Sequence, residues 1–210
     1  MSFNSLVNSL LLELFDSPGA SCWIELVTDE MYRSSFTSPS NVNYSIDLIR
    51  TYVYDTFSTK EISKLSPNIK EALEKYPPYI LSFNEEDFND GGKDPHALTG
   101  AGSSPQVFGT VMTSVKDFVS KKTTLFKRTK RDVVWPNQLT LDTLKPLEKR
   151  GDIKKSSIPD INIVVLSASK AEPSRVRLYD RMSTYFSKQL SWDFGLIDTK
   201  DDRYYIYARR

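Results

Sequence analysis

Seven apolar side chains recur at helical spacing in one stretch of the chain, and this pattern constrains the fold more than any other feature. They lie on one face of a helix predicted to begin at Ser104. The seven are Val107, Phe108, Val111, Met112, Val115, Phe118 and Val119. Ser104 is a favourable N-cap, and Pro105 suits the first turn, where its missing N–H costs nothing. Because β-branched residues have low helix propensity, this helix must be stabilised by packing against a core.

A dense run of positive charge follows the apolar stripe. Between positions 115 and 131, seven cations are opposed only by Asp117: Lys116, Lys121, Lys122, Lys127, Arg128, Lys130 and Arg131. Cations at a helix C-terminus complement the macrodipole, but seven exceed what one helix end requires. The run therefore predicts contact with phosphate, in nucleic acid or at an anionic membrane surface. The alternative is a core helix with a solvated basic tail.

The two halves of the chain carry opposite charge, although the net charge is only +1. Residues 1–100 hold 15 acidic and 7 basic side chains, a net of −8, and residues 101–210 hold 12 acidic and 21 basic, a net of +9. Three consequences are open. The basic half binds an anionic polymer or a protein partner, the acidic half of one copy docks on the basic half of another, or the halves neutralise each other within one molecule.

Cysteine and histidine occur once each, as Cys22 and His96. A single cysteine excludes an intramolecular disulfide, and this pair argues against a structural zinc site, so no metal or cofactor is predicted. No apolar run approaches the roughly 20 residues that span a bilayer. The N-terminus lacks a basic region before its short apolar run, which Glu13 interrupts, so it does not match a secretory signal. These features predict an intracellular protein, cytoplasmic or nuclear.

The segment Gly19-Ala20-Ser21-Cys22-Trp23 resembles the sequence around the nucleophile of papain-like cysteine proteases. The resemblance covers about five residues and implies a thiolate at Cys22, activated by a histidine within hydrogen-bond reach. His96 is the one histidine available for that role. The alternative is a small buried cysteine in a strand over 22–27.

Periodicity and turn residues together predict an α+β protein with a mostly antiparallel sheet and packed helices. Helices are expected over 3–15, 46–57, 60–76 with a break near Pro67, 141–149 and 174–190. Strands are expected over 22–27, 79–83, 133–135, 161–166, 192–197 and 204–208, with a polar, turn-rich segment over 34–43 and a hairpin at 199–202. The last helix and its strands form a β-α-β-β unit. Residues 46–57 are also compatible with a strand, since 51–54 is rich in β-branched and aromatic residues.

The predicted organisation has three parts. Residues 1–84 form an acidic region, 85–103 a glycine-rich loop or linker, and 104–210 a basic α+β region. The sequence is also compatible with one continuous domain.

A second basic group lies on the C-terminal helix, where Arg177, Arg181 and Lys188 form one stripe. The nearby tyrosines at 204, 205 and 207, with Arg209 and Arg210, either stack on RNA bases or pack a strand face. The favoured interpretation is a non-enzymatic binding or assembly protein. Its basic half would contact RNA, an anionic membrane or a protein partner, with self-association possible. By analogy, split charge and a basic amphipathic helix suit a viral matrix-like or accessory role.

Overall fold

A computed structural model of the chain describes residues 22–27, 30–38, 41–85 and 104–210. The predicted helix over 3–15, the glycine-rich segment beyond residue 85 and His96 lie outside these ranges. The strands are β1 (Cys22–Val27), β2 (Met31–Thr37), β3 (Asn43–Arg50), β4 (Tyr79–Glu85), β5 (Thr124–Arg128), β6 (Ile153–Ser156), β7 (Ile163–Ser169), β8 (Asp193–Asp198) and β9 (Asp202–Ala208). The helices are α1 (Val53–Thr56), α2 (Thr59–Ile62), α3 (Pro67–Lys75), α4 (Ser104–Val119), α5 (Leu141–Lys149) and α6 (Pro173–Leu190).

The nine strands are hydrogen-bonded in the order β6-β5-β1-β2-β3-β4-β7-β9-β8. The pairs β1/β2, β5/β6, β7/β9 and β8/β9 are antiparallel. Two pairs, β1/β5 and β4/β7, are parallel. The sheet is therefore mixed and mostly antiparallel, which confirms the predicted α+β class. The C-terminal β-α-β-β unit is confirmed as β7, α6, β8 and β9.

Two compact units divide the chain, and each draws on both halves of the sequence. Unit 1 comprises residues 1–47 and 83–158, and unit 2 comprises 48–82 and 159–210. The division falls within β3 and within β4. In the part of the chain that the structure describes, no helix is both long enough and apolar enough to cross a bilayer.

Unit 1 is organised around both faces of β1. On one face, Cys22 and Ile24 join a buried cluster with Phe126 of β5. On the other face, Trp23 stacks on Phe118 of α4 at 4.4 Å between ring centroids. The apolar stripe of α4 is buried over its whole length, as its spacing predicts.

A partly buried ion pair joins β2 and β3 at the edge of this core. Arg33 donates from Nε and one terminal nitrogen to the two carboxylate oxygens of Asp47, at 2.7 and 2.9 Å. Asp47 is only 4% exposed, and this bidentate partner satisfies both of its carboxylate oxygens.

Unit 2 packs α2 and α3 against the sheet through a second apolar cluster. Leu65, Ile69 and Leu73 meet Ile163, Val165 and Ile206 there. Gly195 of β8 lies so close to them that a Cβ would come within 2.7 Å of Ile69 Cδ1 and 2.9 Å of Leu65 Cδ2. A larger residue at this point of the strand would therefore force the terminal methyl groups of Ile69 and Leu65 to move.

An ion network attaches α6 to the last two strands of unit 2. Arg203 contacts Asp180 of α6 and Asp198 of β8, both at 2.9 Å. Lys170 lies 3.2 Å from Asp198, and the hydroxyl of Tyr205 donates to Asp180 at 2.9 Å. Hydrogen bonds from Arg203 and Lys170 hold the pKa of the Asp198 carboxyl below its usual range.

Several local predictions are confirmed, and two are wrong. The strand over 22–27, the helical break before Pro67, the strand beginning at Tyr79 and the helix over 141–149 are all present. The predicted helix over 46–57 is instead strand β3 followed by the short α1. Tyr44, Ile46 and Leu48 alternate with Ser45 and Asp47, and all five are buried. The helical spacing of Ile46, Ile49, Val53 and Phe57, which favoured a helix, spans the end of β3 and the segment after it. The predicted strand over 133–135 forms no ladder; Val133 is buried while Val134 is 83% exposed.

The first part of the polar segment over 34–43 belongs to strand β2. β2 extends to Thr37, and its serines are buried because the backbone satisfies them. Ser34 donates to the carbonyl of Cys22, and Ser35 accepts from the N–H of Leu139 at 2.8 Å. Serine-rich composition therefore concealed a central strand of unit 1.

Candidate polyanion-binding surface

The basic run after α4 does not continue the helix. α4 ends at Val119, and the chain reverses at Lys121, which has a positive φ of 59°. The N–H of Lys121 donates to the carbonyl of Phe118 at 2.9 Å, and that of Lys122 to the carbonyl of Asp117 at 2.8 Å. The chain then enters β5. The expected basic helix tail is therefore a turn and a strand, because Leu125 and Phe126 are both buried against unit 1.

Pairing of β5 with β6 brings a second basic segment to the first. Lys127 lies directly opposite Lys154, and Phe126 lies opposite Lys155. Residues 121–132 hold six cations and one acid, and residues 148–155 hold four cations and two acids. We call these ten cations the basic strip; its members are Lys121, Lys122, Lys127, Arg128, Lys130, Arg131, Lys149, Arg150, Lys154 and Lys155.

Part of the basic strip is neutralised within unit 1. Asp152 accepts from Lys130 Nζ at 2.6 Å and from Arg150 Nε at 2.8 Å. These two hydrogen bonds lower the pKa of the Asp152 carboxyl. Lys155 Nζ lies 3.9 Å from Glu148, and the guanidinium of Arg128 lies 5.3 Å from the ring centroid of Trp135. These side chains are held at the surface by partners of their own.

The remaining members of the strip leave positive charge uncompensated. Over the described ranges, no ion pair is formed by Lys122, Lys127, Arg131, Lys149 or Lys154. Lys127 and Lys154 project from the same face, since residues opposite each other in a ladder share a face. Like charges in this position repel, so an outside anion would relieve the repulsion. Lys155, as the next residue of β6, projects from the opposite face.

The predicted binding residues fall into different units. Lys116, on α4, and the 121–131 group belong to unit 1, whereas Arg177, Arg181 and Lys188 belong to unit 2. These last three are exposed on α6, as the stripe predicts. Their role in binding stays a prediction.

Sequence reasoning missed the four cations around β6. Residues 153–156 are only four in number, and two are lysines, so neither length nor alternation indicates a strand. The available signal was charge alone: two lysines that follow the turn at Gly151, which has a φ of 71°.

Cys22 has the environment of a core residue. Its side chain is 0% exposed, and it lies in β1 instead of at the start of a helix. Burial removes the access that a nucleophilic thiol requires. His96 lies outside the described residues, so its pairing with Cys22 stays a prediction.

The C-terminal tyrosines pack within unit 2: Tyr205 and Tyr207 are buried, and Tyr204 is partly buried. Tyr205 and Tyr207 are 0% exposed. Tyr204 meets Phe57 edge to face, and Tyr207 meets Phe186 in the same way, each at 5.0 Å. The interpretation that these residues pack a strand face is correct.

The described ranges contain no cluster of three or more histidine, cysteine or acidic side chains that could hold a metal ion. Comparisons of the chain with protein families, curated proteins and solved structures find no match.

Proposed function

We propose that this chain is a non-enzymatic binding protein whose basic strip contacts the phosphates of single-stranded RNA. The observation that supports the proposal most directly is the pairing of Lys127 with Lys154, two unneutralised cations across adjacent strands. Phosphates spaced along a flexible strand can follow cations spaced along β5 and β6. Ordinary surface charge is more often interspersed with the opposite sign.

Burial of the apolar residues of the same strands favours RNA over a membrane. Leu125, Phe126 and Ile153 are each 2% exposed or less. Binding of a surface element to a membrane is strengthened by an apolar face that enters the lipid boundary, in addition to attraction between basic side chains and anionic lipids. Unit 1 offers only two large exposed apolar side chains among its described residues, Val134 and Leu141, and both are single residues.

The expected salt dependence follows from the number of free cations. Five unpaired cations on a single strand predict a slope of about −3.5 in log K against log salt. Affinity should therefore fall by about 100-fold between 50 and 200 mM salt. Fluorescence polarisation with a labelled single-stranded RNA, repeated across this range, measures the slope.

The decisive comparison uses two double variants with the same change of charge. K127E/K154E removes the opposed pair and should reduce the salt slope by about 1.4. K60E/K64E reverses two exposed lysines of unit 2 and should leave the slope unchanged. Equal binding by K127E/K154E and the wild-type protein would contradict the assignment of this surface.

A second experiment distinguishes binding to RNA from binding to lipid. Vesicles containing phosphatidylserine should sediment little protein compared with RNA-coated beads at the same salt. Binding to such vesicles through Lys127 and Lys154, without binding to RNA, would replace RNA by an anionic membrane as the partner. Light scattering at low and high salt, without RNA, tests charge-driven self-association.

A further inference from the structure

Unit 2 contains a cavity of about 410 Å³ that the basic strip does not use. One wall is a stripe of α3 that continues to Tyr76, and it includes Lys75. The other wall is formed by Asn162 just before β7, by Asp193 at the start of β8, and by the two arginines that follow β9. The volume lies in the range of small-molecule sites, but the lining is mostly polar and charged.

Most of the charges in this cavity are matched in pairs. Arg210 Nε donates to Asp193 at 2.9 Å, and Asn68 donates to the other carboxylate oxygen at 3.0 Å. These two hydrogen bonds lower the pKa of the Asp193 carboxyl, which keeps it ionised and Arg210 engaged. Lys75 Nζ is likewise held by Glu71 at 2.6 Å.

Arg209 is the exception to this matching. Its guanidinium is exposed and forms no ion pair or hydrogen bond with any other described side chain. With Lys75 and Arg210 neutralised, Arg209 gives the side chains that line the cavity a net charge of +1. A guanidinium presents a planar fork of donors that matches phosphate and carboxylate.

Beside Arg209, the amide of Asn162 and the ring of Tyr76 offer contacts to a ligand larger than a simple anion. The N–H of Arg209 donates to the carbonyl of Asn162 at 2.8 Å, which keeps the two residues adjacent. The Asn162 side-chain amide makes no hydrogen bond within the described ranges, so it can donate and accept. Tyr76 lines the cavity and is 44% exposed, so its ring offers a face for stacking.

We propose that this cavity binds a nucleoside monophosphate, with the phosphate on Arg209 and the base against Tyr76. The amide of Asn162 is placed to pair with the ribose or with a base edge. The proposal goes beyond the function proposed for the basic strip, because it uses different residues in a different unit. The ligand is either a free nucleotide or the phosphorylated end of an RNA strand, and these share the same chemistry.

Isothermal titration of the full chain with adenosine monophosphate tests the proposal. We expect a dissociation constant on the order of 0.1–1 mM. Inorganic phosphate and adenosine, titrated separately, should each bind at least about tenfold more weakly, because each supplies only one of the two contacts. A 5′-phosphorylated trinucleotide that binds more tightly than the monophosphate would identify an RNA end. Equal affinity would identify a free nucleotide.

Variants separate the two contacts. R209Q should weaken monophosphate binding by about tenfold or more, because the charged fork is lost. Y76A should remove the advantage of the monophosphate over phosphate, whereas Y76F should retain it. R50Q, which changes an exposed arginine of β3 that does not line the cavity, is the matched control and should bind normally.

Two results would overturn the proposal: no heat of binding up to about 10 mM monophosphate, or equal affinity of R209Q and the wild-type protein. K127E/K154E should bind the monophosphate like the wild-type protein, so failure of the RNA surface and failure of the cavity can be told apart.

Discussion

Replacement of Lys154 by glutamate should raise the stability of the protein while lowering its affinity for RNA. Lys127 and Lys154 lie opposite each other, and such pairs have Cβ atoms about 5 Å apart. Two unit charges at about 6 Å in water interact with about 0.7 kcal/mol. K154E turns this repulsion into attraction, and screening and side-chain entropy reduce the gain to about 0.5–1 kcal/mol. Loss of one phosphate contact should weaken RNA binding by about fivefold near 0.1 M salt.

The neighbouring substitution K155E is a matched comparison, because it makes the same change of charge one residue along β6. Lys155 lies 3.9 Å from Glu148, so K155E replaces a weak attraction by a repulsion. It should therefore lower the free energy of unfolding by about 0.5 kcal/mol. K155E should weaken RNA binding less than K154E does, because Lys155 is paired with Glu148 and projects from the opposite face of β6. The pair thus separates the effect on folding from the effect on binding.

Urea unfolding followed by tryptophan fluorescence, at about 0.05 M and about 1 M salt, measures both stability changes. The difference between K154E and K155E should be largest at low salt and nearly vanish at high salt, because exposed charges are screened. The reasoning is refuted if K154E is less stable than the wild-type protein at low salt. It is refuted equally if its gain persists unchanged at high salt.

Three further predictions concern the cores and the ion network. G195A should destabilise the protein by about 1–2 kcal/mol, measured by urea unfolding, because a Cβ there meets packed side chains. The thiol of Cys22 should react with Ellman's reagent only after denaturant is added, since it is 0% exposed; rapid native labelling would contradict its burial. Arg203 depresses the pKa of Asp198, so this stabilisation is complete above the unfolded pKa of about 3.9 and is lost as pH falls below it. In R203Q the free energy of unfolding should therefore fall less steeply as the pH is lowered through the acid range. The same steepness in R203Q and the wild-type protein would argue against the network.

Local patterns predicted those elements whose signals are contained in a few adjacent residues. The apolar stripe of α4 is spaced at the helical period. Pro67 lies at the first position of α3, where the proline ring is compatible with a helix. The β-α-β-β order followed from one apolar run, one amphipathic helix and one hairpin. β3 was misassigned because Ile46, Ile49, Val53 and Phe57 also match helical spacing, although Val53 and Phe57 lie beyond the strand.

The chain's charge asymmetry and its candidate cations could be read from the sequence, because charge is a property of single residues. Which cations are free could not, since it depends on partners distant along the chain. Lys130 is neutralised by Asp152, whereas Lys127 faces Lys154 across a ladder that joins segments more than twenty residues apart. The cavity in unit 2 is still less local, because α3 and the ends of three strands form its walls. Arg209 and Arg210 look alike in the sequence; only the tertiary structure places Asp193 beside one of them and leaves the other without an anion.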